Sequence, residues 1–150
     1  EGLQAVHTQS YGPEARGGAC KSEVVLSAEA IAFPEVDRPD VVVCLSSEAM
    51  RKYPCSMPGG LRLVEERACL GNTPSANDIV LPMARTAVEV GGEQSVNVVA
   101  LGVLAGLTGI VSREALLAGL RRRVRPDSLP LNQRALEAGL RLGATAMAPA

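Results

Sequence analysis

Apolar and polar residues are arranged along the chain in short strand-like blocks first and in longer helical blocks afterwards. Apolar or alternating runs bounded by turn residues predict strands over residues 3–8, 19–26, 41–45, 61–64 and Asp78–Leu81. The run over 41–45 is apolar without interruption, which is typical of a parallel strand covered by helices on both faces.

The later blocks have helical spacing. They predict a short helix after the Ser46 cap and longer helices over 82–90, 95–107, from Ser112 to just before Pro126, and 132–142. Asn132 is the predicted cap of the last helix and Gly143 its predicted end. Strands that alternate with helices indicate one α/β domain over residues 1–150, a three-layer α/β/α sandwich with a largely parallel, Rossmann-like sheet.

Charge and aromatic content argue against nucleic-acid binding. The formal net charge is -1 and the only aromatic residues are Tyr11, Phe33 and Tyr53, so both a basic footprint and a stacking platform are missing. The run Arg121–Arg123 is interpreted as the solvated basic end of a helix rather than as a phosphate site. No apolar run reaches the roughly 20 residues that span a bilayer, and no signal peptide is visible. A cytoplasmic protein without a membrane partner is expected.

The four cysteines do not have metal-site spacing. Cys20, Cys44, Cys55 and Cys69 include no Cys-x-x-Cys pair, so neither a metal site nor an iron–sulfur cluster is predicted. Free thiols in a reducing compartment are expected, with Cys44 buried inside an apolar run.

The most distinctive segment lies between the first two predicted strands. It reads Ser-Tyr-Gly-Pro-Glu-Ala-Arg-Gly-Gly over residues 10–18, and turn dipeptides stand at both ends. Glu14 and Arg16 could pair with each other, face a partner chain, or bind an anionic ligand through the arginine fork. The candidate residues of this interface or ligand-cavity loop are Tyr11, Gly12, Pro13, Glu14, Arg16, Gly17 and Gly18. Tyr11 is expected mainly to pack beneath the loop.

Two further polar residues are candidates for supporting roles. His7, the only histidine, shares a strand face with Ala5 and Gln9 and is interpreted as a structural or interface residue, because no catalytic partner stands at a suitable spacing. Asn97 opens an apolar helix, where it could cap the helix or, if buried, support the loop at residues 11–18. No catalytic residue is predicted from these patterns, and the residues alone indicate an α/β domain with one specialised loop.

The loop also carries a resemblance. His7–Gly18, with the Ser-Glu-Val-Val-Leu-Ser run at 22–27, resembles the gamma subunit of 2-oxoacid:ferredoxin oxidoreductases, and the 2-oxoglutarate branch is the most similar. Residues 31–34, 39–41, 97–102, 108–112, Asn132 and 135–139 match further segments of that family. Family members begin with a strand and a glycine-rich turn, so the resemblance implies that this chain lacks the first βα unit.

The resemblance implies an accessory subunit, inactive alone, of a complex that oxidatively decarboxylates a 2-oxoacid with coenzyme A. Thiamine diphosphate and iron–sulfur clusters are then expected on alpha, beta and delta-type subunits, with ferredoxin as electron acceptor, and no cofactor on this chain alone. The loop would help to shape the substrate or coenzyme A cavity. The alternatives from the residues alone are a separate anion- or nucleotide-binding module, with Arg16 as the clamp, and a structural docking domain.

Overall fold

The structure of the chain, a computed structural model, describes residues 2–11, 20–53 and 59–146. Its strands are β1 (Gln4–Tyr11), β2 (Cys20–Ser27), β3 (Val41–Cys44), β4 (Leu61–Glu65) and β5 (Asp78–Leu81). Its helices are α1 (Ser47–Lys52), α2 (Met83–Glu89), α3 (Val96–Thr108), α4 (Arg113–Arg123) and α5 (Leu129–Ala146). None of these helices combines the length and apolar character needed to cross a membrane.

A parallel sheet of order β3-β4-β5 forms the middle layer of an α/β sandwich. Successive residues of β4 point to opposite faces. Leu63 therefore joins the cluster built with α2, α3 and α5, whereas Val64 joins the cluster that holds Met50 of α1. The predicted three-layer α/β class is confirmed. The missing first βα unit stays a prediction.

The most buried strand is β4 rather than β3. Within the described residues only β4 has a strand on each side, and its residues 62–65 are all buried. In β3, Val41, Val42 and Val43 are half-buried and Cys44 is fully buried. The prediction of a strand covered on both faces at 41–45 therefore fits the middle strand better than this edge strand.

The last helix begins and ends outside its predicted limits of 132–142. Asn132 lies within α5, where its Nδ2 donates to the Ser128 carbonyl at 2.8 Å, so it is not the cap. Gly143 also lies inside α5 and is buried, so it is not the stop. A glycine there is explained by packing, because a Cβ on Gly143 would collide with the Val103 carbonyl of α3.

Strands β1 and β2 stand apart from the parallel sheet. They form an antiparallel hairpin of eight residue pairs, from Gln4 opposite Ser27 to Tyr11 opposite Cys20. Neither strand contributes a residue to the two hydrophobic clusters of the described residues. The predicted strands are confirmed, and the structure adds that they pair with each other in a two-stranded sheet of their own.

Candidate functional site

The β1–β2 hairpin carries the predicted loop at its end. Tyr11 is the last residue of β1 and pairs with Cys20, the first residue of β2, so segment 12–19 joins the two strands. Gly12, Pro13, Glu14, Arg16, Gly17 and Gly18 lie outside the described residues, as does the side chain of Tyr11. The roles predicted for these seven residues stay predictions. The structure does establish that an eight-pair ladder holds both ends of the loop.

The hairpin has one uncharged face and one charged face. Alternate residues of a strand point to opposite sides, and residues paired across an antiparallel ladder share a side. The outer face contains the exposed residues Ala5, His7, Gln9, Cys20, Ser22 and Val24 and the half-buried Leu26. The inner face contains Gln4, Val6, Thr8, Ser10, Lys21, Glu23, Val25 and Ser27.

His7 lies on the outer face, as its strand register predicts. Its Nε2 and the Ser22 Oγ form a hydrogen bond of 2.8 Å across the two strands. Gln9 Nε2 approaches the same ring nitrogen at 3.5 Å. The histidine is exposed and bonded to Ser22 on the neighbouring strand, an arrangement that supports the structural or interface interpretation.

The inner face of the hairpin borders a polar cleft of about 460 Å³. Lys21 Nζ lies 2.8 Å from Glu23 Oε1, and Thr8 Oγ1 donates to the other carboxylate oxygen at 3.3 Å. The hydrogen bond to Glu23 raises the pKa of Lys21. Glu35 and Asp37 line the opposite wall. The carboxylates outnumber the single lysine, so the cleft does not favour an anionic ligand.

Asn97 is exposed on the first turn of α3 rather than buried. Its Oδ1 accepts a hydrogen bond of 3.0 Å from the Val98 backbone N–H. The amide therefore bonds locally within the first turn of α3, whose N-cap is Ser95 rather than Asn97. Because Asn97 is exposed, it does not support the loop as a buried amide. Contact between Asn97 and residues 12–18 stays a prediction, because those residues are not described.

The described cysteines are free thiols. Cys44 is fully buried in β3, as expected, and burial raises the pKa of its thiol. Cys69 is half-buried and its pKa is raised for the same reason, while Cys20 is exposed on the hairpin. Within residues 2–11, 20–53 and 59–146, no three His, Cys, Asp or Glu side chains are grouped closely enough to hold a metal ion.

The structure reveals two buried polar arrangements that the sequence patterns did not predict. Arg62 of β4 and Asp78 of β5 form a bidentate ion pair beneath α1. Glu65, at the end of β4 and only 2% exposed, accepts the Ala84 N–H of α2 at 2.9 Å. The available signal was the presence of two charged residues, Arg62 and Glu65, in the otherwise apolar strand Leu61–Glu65. Both arrangements hold the sheet and its helices together.

Comparison with known proteins identifies the family. The family model described as pyruvate ferredoxin/flavodoxin oxidoreductase matches residues 1–142. The chain belongs to this family. The resemblance to 2-oxoacid:ferredoxin oxidoreductases is thereby confirmed.

Individual members of the family give a more specific comparison. It is 47% identical over 118 residues to 2-oxoglutarate synthase subunit KorC of Methanocaldococcus jannaschii, covering 75% of this chain and 63% of the relative. It superposes with a TM-score of 0.81 on the crystal structure of the keto/oxoacid ferredoxin oxidoreductase gamma subunit from Geobacter sulfurreducens, at 37% identity, over 96% of this chain and 82% of that one. The chain thus spans less than two thirds of the Methanocaldococcus subunit.

A third relative shows the same fold inside a longer chain. The 2-oxoglutarate:ferredoxin oxidoreductase from Magnetococcus marinus, solved with 2-oxoglutarate, coenzyme A and succinyl-CoA, matches at 24% identity with a TM-score of 0.79. The match covers 99% of this chain but 27% of that chain. In that protein, this fold is one part of a larger polypeptide.

Proposed function

We propose that the chain is the accessory gamma-type subunit of a 2-oxoacid:ferredoxin oxidoreductase, with 2-oxoglutarate as the oxoacid. The observation that carries the proposal is the 47% identity to the 2-oxoglutarate synthase subunit from Methanocaldococcus. The complex would convert the 2-oxoacid and coenzyme A to an acyl-CoA and carbon dioxide, and pass two electrons to ferredoxin.

The cofactors that perform this chemistry are assigned to other subunits. Thiamine diphosphate supplies the carbanion chemistry and iron–sulfur clusters carry the electrons. A cluster is normally held by several thiolates that converge on it, and the described thiols include one that is fully buried and one that is exposed. The described donor set of this chain does not fit such a cluster, and alpha, beta and delta-type subunits are the proposed holders.

The contribution of this chain is the loop at the end of the hairpin. Arg16 would bind a carboxylate or phosphate of the 2-oxoacid or coenzyme A, because a guanidinium presents two parallel donors to such groups. Glu14 would position Arg16 or contact the neighbouring subunit. The eight-pair ladder below the loop would hold both strand ends in place. In this proposal the loop residues position the ligand, and none of them transfers a proton or acts as a nucleophile.

The proposal is tested by expressing the chain alone and together with its neighbouring subunits. The isolated chain is expected to show no 2-oxoglutarate- and coenzyme A-dependent reduction of a viologen dye, whereas the co-expressed subunits purify together and are active. Turnover by the isolated chain would contradict an accessory role. Calorimetry with coenzyme A separates the alternative, because a separate anion-binding module would bind it without partners and lose that binding in Arg16→Ala.

A further inference from the structure

Four arginines are clustered at the carboxyl end of α4. Arg121–Arg123 form the last turn of the helix, and Arg125 follows Val124, where the backbone becomes extended. Asp127 is the only carboxylate among residues 121–127, so this segment carries a net charge of +3. The whole chain has a formal net charge of -1, which leaves -4 for the rest of it. The four arginine side chains are called the arginine patch below.

The arginine patch is exposed and is not neutralised by the described part of the chain. All four residues are exposed, and none forms an ion pair with a described carboxylate. Elsewhere, five basic residues each pair with a carboxylate: Lys21, Arg62, Arg67, Arg85 and Arg113. A helix dipole favours cations in the last turn, but its effect fades beyond that turn and does not account for Arg125.

The surroundings of the patch discriminate between kinds of partner. Four apolar residues of this segment belong to the main hydrophobic cluster or pack against it: Leu116, Leu120, Val124 and Leu129. None of the large apolar side chains in residues 111–130 is exposed. The patch therefore lacks the apolar face with which a helix enters a membrane surface and the apolar centre typical of a permanent interface. The negative charge of the whole chain opposes a nucleic acid partner.

We propose that the arginine patch is a transient docking site for the ferredoxin that accepts electrons from the complex, and that this ferredoxin presents a cluster of carboxylates to it. This inference rests on the proposed function, in which the subunits stay together while the ferredoxin must bind and leave. Weak electron-transfer contacts are small, and charge complementarity increases their rate and specificity. Guanidinium groups suit this role because each can hold a carboxylate through two parallel donors.

The arginine patch would orient the ferredoxin without carrying the electrons. The proposed iron–sulfur clusters belong to other subunits, so the electrons would pass directly from one of those subunits to the ferredoxin. A patch of fixed positive charge beside that contact raises the rate of productive encounter, and salt weakens this effect. Removal of the patch is therefore expected to change the KM for ferredoxin while the reaction of the 2-oxoacid continues.

The test reverses charges in the patch and compares two electron acceptors in the reconstituted complex. The patch variant carries Arg122→Glu and Arg125→Glu. The matched control carries Arg51→Glu and Lys52→Glu, which are exposed in the last turn of α1 on the opposite face of the sheet. The patch variant is expected to raise the KM for ferredoxin about tenfold at low ionic strength. Reduction of a small viologen dye, which needs no protein docking site, is expected to stay at the wild-type rate.

The control variant and added salt complete the test. The control is expected to match wild type with both acceptors, and the KM for ferredoxin should depend less steeply on ionic strength in the patch variant. An unchanged KM for ferredoxin in the patch variant, or an equal rise in the control, would overturn the docking inference. Loss of the variant subunit from the complex would also overturn it, because a neighbouring subunit would then be the occupant.

Other polyanions are tested with the free chain. Binding of wild type, but not of the patch variant, to duplex DNA or to phosphatidylglycerol vesicles at physiological salt would assign the patch to that polyanion and overturn the ferredoxin inference. The wild-type complex itself separates the two levels of the account. If it reduces neither the dye nor ferredoxin with 2-oxoglutarate and coenzyme A, the proposed function fails and this inference fails with it.

Discussion

Arg62 and Asp78 form a bidentate ion pair across adjacent parallel strands. Arg62 Nε donates to Asp78 Oδ1 and Nη2 to Oδ2, each at 2.6 Å, and Nη1 donates to the Met50 carbonyl of α1 at 3.1 Å. Asp78 Oδ2 also accepts the Ser75 N–H at 2.8 Å. The two residues are partners in the β4–β5 register. The pair therefore fixes the register and the position of α1 together.

Removing one member of this pair is expected to be strongly destabilising. Asp78→Ala leaves the Arg62 guanidinium buried without its carboxylate, which costs about 3–5 kcal/mol in comparable cases. Chemical denaturation of the free chain measures the change in the free energy of unfolding. The control is Glu93→Ala, which removes an exposed ion pair with Arg67 and is expected to cost less than about 1 kcal/mol. Equal effects would contradict the assigned role of the buried pair.

The same pair predicts how stability depends on pH. The Arg62 hydrogen bonds lower the pKa of Asp78 from its ordinary value of 3.8 in the folded chain. A folded-state pKa below the unfolded one stabilises the fold above the unfolded value, and this stabilisation disappears as pH falls through the lowered pKa. Between pH 5 and 7, roughly, the contribution is constant. Asp78→Asn is expected to reduce the loss of folding free energy that occurs as the pH is lowered. An unchanged loss in this variant would show that other carboxylates cause it.

Close contact between α3 and α5 depends on glycine. A Cβ on Gly102 would lie 2.5 Å from the Leu136 carbonyl oxygen, and a Cβ on Gly139 would collide with the Val99 carbonyl. Gly139→Ala should therefore separate the helices and lower the thermal midpoint, at a cost of about 1–3 kcal/mol for an overpacked core. Gly119→Ala in α4 is the matched control, because nothing lies within 4 Å of the added carbon. It is expected to stabilise by about 0.5–1 kcal/mol through helix propensity.

Glu65 supplies the cap that α2 does not provide for itself. Pro82 stands at the N-cap without a side-chain acceptor, and the Glu65 carboxylate at the end of β4 accepts the Ala84 N–H instead. Glu65→Ala is expected to cost about 1–2 kcal/mol on denaturation, as for lost caps elsewhere. Glu65→Gln keeps a carbonyl acceptor and should recover part of this. The neighbouring Glu66→Ala, which removes an exposed 3.4 Å pair with Arg85, should have little effect.

Arg16 is expected to affect kinetics rather than assembly. In the reconstituted complex, Arg16→Ala should raise the KM for coenzyme A or for 2-oxoglutarate by about 10–100-fold, since a charge-assisted bidentate contact contributes about 1.5–3 kcal/mol. Arg16→Lys should recover only part of the loss. A variant complex that assembles less well but keeps its KM values would show that the loop serves docking alone.

The sequence predicted the parts of this fold that depend on local pattern. Both hairpin strands, β5 and the Ser112 cap of α4 follow from runs of apolar residues and from capping chemistry, and the structure has them. The prediction that α5 ends at Gly143 was wrong because glycine is used both to end helices and to let two helices approach closely. Only the tertiary contact with Val103 distinguishes these two uses.

The buried polar residues show why the rest could not be predicted. Arg62 and Asp78 are sixteen residues apart, and their pairing depends on the register between β4 and β5. Glu65 likewise meets Ala84 only after the chain has crossed from β4 to α2. For the loop, residue chemistry indicated an interface or ligand cavity, and under the proposed function its contacts are made with a ligand or a neighbouring subunit. No pattern within one sequence can specify that partner.

The accessory role is tested by the activity of a complex from which this subunit has been omitted. The other subunits are purified without it, and the chain is titrated back while 2-oxoglutarate- and coenzyme A-dependent dye reduction is recorded. Activity is expected to rise from a low basal rate and to saturate as the chain is added. Full activity without the chain, or turnover by the chain alone, would contradict its assignment as an accessory subunit.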